Sequence, residues 1–146
     1  MTYSAKSAFI GFDFGTKKIG VAVGQLLTRN ARPLATLRYT KAGELPWPQI
    51  CSLLSRWQPS ALIVGVPLNM DGSEQSLTVA ARNFANLLAT RYQLPVYSHD
   101  ERLTSVSARS QLFANGGYKA LQQGQVDMVA AQLILQDWLW HYPTEK

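Results

Sequence analysis

Ala8-Phe9-Ile10-Gly11-Phe12-Asp13-Phe14-Gly15-Thr16-Lys17-Lys18-Ile19-Gly20-Val21-Ala22-Val23-Gly24 is the stretch on which the fold turns. The run from Ala8 to Phe14 is apolar except at Asp13 and stops at Gly15, which predicts a buried strand. Gly15 to Lys18 predicts a turn and Ile19 to Gly24 a second strand, so the two make a hairpin. Strand alternation sets Phe9, Gly11 and Asp13 on one face, and Ala8, Ile10, Phe12 and Phe14 on the other. A carboxylate there is costly to bury unless a cation or an opposite charge compensates it. Asp13 is therefore the first candidate functional residue; the plainer alternative is an aspartate closing its own Asx-turn. Gly15 and Gly20 leave open backbone beside it, room for a phosphate to approach.

Working outward, a third strand is expected from Ala35 to Tyr39, after an irregular stretch from Thr28 to Pro33. Leu45 to Trp57 predicts a helix, with Pro46 and Pro48 in its first turn and Ile50, Leu53, Leu54 and Trp57 at helical spacing. Ala61 to Val66 is continuously apolar, as in a strand covered on both faces. Asp71-Gly72-Ser73-Glu74 suggests a capping-box start for a helix reaching Tyr92, followed by a short strand from Pro95 to His99. Another helix is expected from Thr104 or Ser105 to Asn115, and a last one along the stripe Val126, Val129, Ala130, Leu133, Ile134 and Trp138. The order βββαβαβαα describes an α/β fold: a five-stranded mixed sheet, three antiparallel strands leading into parallel ones, with helices on both faces. One domain spanning residues 1–146 is expected, with frayed tails at 1–6 and 141–146.

Fourteen Lys and Arg against nine Asp and Glu leave a formal charge of +5, without long basic runs. That pattern favours a folded surface that meets polyanions over a basic tail. A single cysteine, Cys51, rules out an internal disulfide and reads as core packing among Ile50, Leu53 and Leu54. No apolar stretch reaches membrane-spanning length, so the expected compartment is the cytoplasm. The absence of a Cys-x-x-Cys pair, His-Glu-x-x-His and Gly-x-x-x-x-Gly-Lys-Ser/Thr argues against structural zinc, zincin and P-loop chemistry.

Two further acids join Asp13. Glu101, in Asp100-Glu101-Arg102, follows a strand at the end where open α/β sheets bind ligands; the alternative is a solvated loop with a local ion pair. Asp127, at the start of the last helix, equally suits the helix dipole. Three converging carboxylates repel, and a divalent cation with oxygen ligands relieves that. Mg²⁺ or Mn²⁺, one ion or two, is the expected cofactor. Lys17, Arg102, Lys119 and Asn69 are candidate substrate contacts, with Arg102 suited to bidentate phosphate binding. His99 reads as a strand-end histidine without a spaced metal partner, and Trp47, Trp57, Trp138 and Trp140 as helix-borne core residues.

Phe12 to Ala22, then Gly65-Val66-Pro67-Leu68-Asn69-Met70-Asp71-Gly72, Asp100-Glu101-Arg102-Leu103-Thr104 and Val126-Asp127 together resemble the YqgF/RuvX-type family. The resemblance runs from Phe9 to about Leu139. It implies an RNase H-like fold and a nuclease: one that matures the 5′ end of 16S rRNA in bacterial members, or a Holliday junction resolvase. It implies Asp13, Glu101 and Asp127 as catalytic, metal-holding carboxylates. Lysines common just before the family's last acid are replaced here by Gln122-Gln123-Gly124-Gln125, leaving Lys119 as the nearby base. Expected partners are pre-rRNA, with branched DNA as alternative, and ribosomal particles; the chain would act as monomer or homodimer, without a membrane. The rivals are a dimeric DNA resolvase, a non-catalytic RNA or ribosome-associated module, and an actin- or sugar-kinase-like ATPase suggested by Asp13-Phe14-Gly15-Thr16.

Overall fold

The computed structural model describes residues 3–101 and 125–142. The expected helix after Thr104 lies outside them, as do Arg102 and Lys119. Three strands open the chain, β1 (Ala8–Phe14), β2 (Lys18–Gln25) and β3 (Asn30–Arg38). They are followed by α1 (Trp47–Trp57), β4 (Ala61–Val66), α2 (Ser76–Tyr92) and β5 (Val96–Asp100). The last described helix, α3, is Gln125–His141. The sheet order is β3-β2-β1-β4-β5. β1–β2 and β2–β3 are antiparallel, whereas β1–β4 and β4–β5 are parallel, so β1 is the strand where pairing changes sense.

The alternation of β1 divides the core as expected. Ile10, Phe12 and Phe14 pack with Ile50 and Leu54 of α1 and with Ala81, Phe84 and Leu88 of α2. Phe9, on the Asp13 face, packs with Ile63 of β4 and with Ala131, Ile134, Leu135 and Leu139 of α3. Thus α1 and α2 cover one face while α3 covers the face that carries Asp13.

Several local expectations are corrected. β3 begins at Asn30, so Pro33 lies inside a strand. It is tolerated because β3 is an edge and the register shifts at Val21/Ala22. α2 begins at Ser76, with Gln75 and Thr78 forming the reciprocal box; Asp71 instead accepts the Ser73 N–H at 2.9 Å in an Asx-turn. The Thr78 hydroxyl also donates to the Pro67 carbonyl. Cys51 is exposed, because the buried stripe of α1 runs through Ile50 and Leu54 and Cys51 is about 100° further round the helix. Trp140 is 61% exposed, whereas Trp138 stands 5.2 Å from Phe9 and 5.4 Å from both Tyr97 and Tyr142. The described parts of the expected frayed tails are tied down. Tyr3 hydrogen-bonds Tyr97 through the hydroxyls at 2.7 Å, and Arg29 donates to the carbonyls of Leu139 and Tyr142, each at 2.8 Å.

The outer strand β3 is secured by side chains from α3. The Ala31 N–H donates to Gln136 Oε1 at 2.9 Å, and Gln132 Nε2 donates to the Ala31 carbonyl at 3.0 Å. Gln136 Nε2 also donates to the Arg29 carbonyl. Gln136 is buried, and these bonds satisfy its amide.

Candidate active site

Asp13 is the penultimate residue of the central strand, and glycines stand on both sides of it. Across β2 its register partner is Gly20. Across β4 the parallel register reaches Phe12↔Val64, which brings Gly65 alongside Asp13. A Cβ on Gly20 would lie 1.9 Å from the Asp127 carbonyl oxygen. A Cβ on Gly65 would lie 3.0 Å from Glu101 Cγ and 3.1 Å from Glu101 Oε2. The missing side chains thus let α3 and Glu101 approach: the first turn of α3 lies over Gly20, while Ile134 of α3, 2.4 Å from the same Cβ position, and then Glu101 lie over Gly65. The opening beside Asp13 that Gly20 was expected to leave for a phosphate is filled by the backbone of Asp127.

The electrostatics follow from this crowding. Burial, then the charge of Glu101, then that of Asp127, push the Asp13 carboxyl up from 3.8 to about 8. Burial, then Asp100, push Glu101 up from 4.5 to about 7. Asp127 has a counter-charge: Lys18 Nζ stands 3.2 Å from its Oδ2. That oxygen lacks a partner in hydrogen-bond geometry among the described residues, so the contact is one of charge rather than an aligned bond. Lys18 shares a face of β2 with Gly20, the face turned toward Asp13 and α3. The alternation of the second strand is the signal that could have placed it in the site.

The three acids therefore meet at one end of the sheet. They do not form a closed coordination shell: among the described residues, no three His, Cys, Asp or Glu side chains stand together as a metal-holding group. In donor chemistry and charge the residues suit a hard divalent cation: they offer carboxylate oxygens, two of them on acids that resist ionising for want of positive charge.

Lys17 is exposed in the β1–β2 turn. The turn is braced by Tyr39, whose hydroxyl donates to the Gly15 carbonyl at 2.6 Å and whose N–H donates to the Lys17 carbonyl at 3.3 Å. Asn69 is exposed in the loop after β4, where its Nδ2 donates to Ser73 Oγ at 3.0 Å and shapes the loop. His99 is buried, with Nε2 2.8 Å from Asp137 Oδ2 but outside hydrogen-bond alignment. Burial outweighs the Asp137 charge and lowers its pKa. The contact links β5, which leads into Glu101, to α3, which carries Asp127.

A central acid-bearing strand where antiparallel and parallel pairing meet, with helices on both faces, defines an α/β protein of the RNase H-like class. Solved structures of the same shape are Thermus thermophilus RuvC in complex with a Holliday junction substrate and the yeast mitochondrial Holliday junction resolvase Ydc2. The first is 18% identical with a TM-score of 0.60, covering 91% of this chain and 94% of that one. The second is 14% identical with a TM-score of 0.56, covering 94% and 79%. The chain belongs to the family described as "RuvX: Holliday junction resolvase", whose model matches residues 7–141. Among its relatives is a Klebsiella pneumoniae protein named "Putative pre-16S rRNA nuclease", 55% identical over 130 residues, 89% of this chain and 94% of that protein. A Sodalis glossinidius protein of the same name is 49% identical over 140 residues, covering 96% and 99%.

Proposed function

We propose that this protein is a metal-dependent phosphodiester hydrolase that cuts RNA in the cytoplasm, its substrate the 5′ end of the 16S rRNA precursor. The observation that carries the reading is the close approach at the two glycines beside Asp13, where the Asp127 backbone lies over Gly20 and the Glu101 side chain, next to Ile134, lies over Gly65. Such crowding works against stability unless a cation answers it. The names of relatives near 50% identity favour pre-rRNA as the substrate.

A bound divalent cation, Mg²⁺ or Mn²⁺, supplies Lewis acidity toward water and the phosphate. Asp13, Glu101 and Asp127 are the residues that would hold it. Asp13 would contribute a ligand oxygen from a position fixed by the β1 ladder. Lys18 keeps Asp127 over Gly20 and neutralises it until a cation takes that role. Lys17, in the adjacent turn, is placed to meet a phosphate arriving from solvent, and Asn69 keeps the loop after β4 in shape. Arg102 and Lys119 are proposed phosphate contacts from sequence alone.

The test is cleavage of 16S precursor, generic single-stranded RNA and a DNA four-way junction, with Mg²⁺ or chelator, beside Asp13→Asn. Mg²⁺-dependent cutting of the precursor that is lost in the variant supports the proposal; equal cutting by the variant refutes it. A DNA junction is the second reading, favoured by the family's description. Preferential junction cleavage by a dimer would establish it instead.

A further inference from the structure

At the end of the sheet opposite the acids, a pocket of about 440 Å³ opens where β2 passes into β3. Gln25, Thr28, Asn30, Arg32 and Trp57 line it, and no lining residue is acidic. The Arg32 guanidinium lies over the Trp57 ring, 5.2 Å from its centroid, and that of Arg56 lies 5.8 Å from the same centroid. Neither arginine pairs with a carboxylate among the described residues. The indole Nε1 of Trp57 is buried and has no hydrogen-bond partner among them.

Each feature asks for the same kind of ligand. A guanidinium in cation–π contact with a ring, without a carboxylate partner, leaves N–H donors for an oxyanion. Two such cations on one ring, without a local acid, make a concentrated positive site. Gln25, Thr28 and Asn30 add neutral donors and acceptors suited to a base or ribose. The volume falls within the range of roughly 300–1,000 Å³ usual for small-ligand sites.

We propose that this pocket is a phosphate-binding subsite that takes one nucleotide, supplied by the RNA strand at a distance from the point of cleavage. The choice of RNA as the source rests on the function proposed above; the chemistry of the pocket does not. From Lys18 at the acid end to Gln25 at the pocket, seven residue steps of about 3.4 Å make ~24 Å. A helical strand, at about 3.4 Å per nucleotide, covers that in roughly seven nucleotides. RNA held in helical geometry and shorter than this cannot engage both places.

The test uses the full chain carrying Asp13→Asn, in chelator, so that binding is read without cleavage. It is titrated with adenosine 5′-monophosphate, a four-nucleotide RNA and a twelve-nucleotide RNA. The comparison proteins add either Arg32→Gln with Arg56→Gln, or Trp57→Phe. The expected result is a roughly tenfold weaker affinity for the twelve-mer in the double arginine variant. Its salt slope should be shallower by about 0.7 for each phosphate that is no longer neutralised, and binding of the four-mer should weaken less than that of the twelve-mer. On the Asp13 background, KM for long RNA should rise about tenfold with kcat unchanged. Loss confined to the mononucleotide assigns the pocket to a free nucleotide with the same phosphate chemistry. Unchanged binding of every probe in both variants overturns the proposal. Both arginines are exposed, so the double variant carries the test even if Trp57→Phe melts early. If the wild-type chain fails to cut RNA, the hydrolase reading falls while the binding result stands by itself.

Discussion

Replacing Asp13 by Asn should make the cation-free protein more stable while disabling it. In the unfolded chain this carboxyl ionises near 3.8, and in the fold near 8. At low pH both states are protonated and there is no penalty. Above 3.8 the unfolded chain releases its proton and the fold does not, so unfolding is favoured more with each pH unit until about 8, where the penalty is full. At about 1.4 kcal/mol per unit, the three units between pH 5 and pH 8 amount to about 4 kcal/mol. Asparagine carries no such titration. For a chain of this length, about 2–4 °C accompanies each kcal/mol. The gap between variant and wild-type melting temperatures should therefore widen by roughly 8–16 °C from pH 5 to pH 8 in chelator. Water reaching the site softens this, and about a third of it, ~3–5 °C, is the least the reasoning tolerates. Thermal melts at half-unit pH steps make the measurement. Added Mg²⁺ should close the gap by stabilising the wild type, while the variant loses at least about 100-fold in cleavage. Parallel melting curves for the two proteins across the whole range would refute the account.

Other perturbations test other parts of the site. Gly20→Ala would put a Cβ 1.9 Å from the Asp127 carbonyl, so α3 must shift; cleavage should fall at least about 100-fold, read in single-turnover assays. Lys18→Gln should tighten cation binding measured by calorimetry, because the ammonium 3.2 Å from Asp127 competes for that carboxylate. Its cost to stability should exceed the ~1 kcal/mol of an exposed pair, because the two side chains are only 24% and 23% exposed and the Asp127 oxygen is left buried without its counter-charge. Gln136→Leu removes the acceptor of the buried Ala31 N–H and should cost about 1–3 kcal/mol in denaturant unfolding. His99, whose pKa is lowered chiefly by burial, should take stability away as pH falls below about 6.5, where the unfolded chain gains a proton first. His99→Gln should flatten that acid-side slope in melts between pH 5 and 7.

Much of the architecture could be read along the chain because the central strands are nearly uniform in character. β1 and β4 begin and end where their apolar runs do, at Ala8–Phe14 and Ala61–Val66. Legibility faded where tertiary contacts override local pattern. Pro33 argues against a strand in isolation, yet the free side of β3 accommodates it. Cys51 and Trp140 carry apolar side chains but sit on the outward sides of their helices, and periodicity does not say how far a partner surface extends. Within the site, Asp13 stood out as a charge in an apolar run and Asp127 beside an apolar stripe, whereas Glu101 was singled out by its place after a strand. Two features did not stand out. Gly20 read as room for a phosphate and Gly65 as part of an apolar strand, when both yield space to residues distant in sequence. Lys18 read as one of several surface cations until β2 was laid against β1.

The glutamines that α3 lends to β3 limit how copies of this molecule can meet. A sheet grows by offering idle amides and carbonyls to a newcomer, and at Ala31 both groups are already engaged. Fusing two molecules into one continuous sheet along that margin would mean stripping the helix of its anchors and loosening the arm that bears Asp127. Pairing of a second strand at Ala31 would therefore compete with the contacts that hold α3 against the sheet.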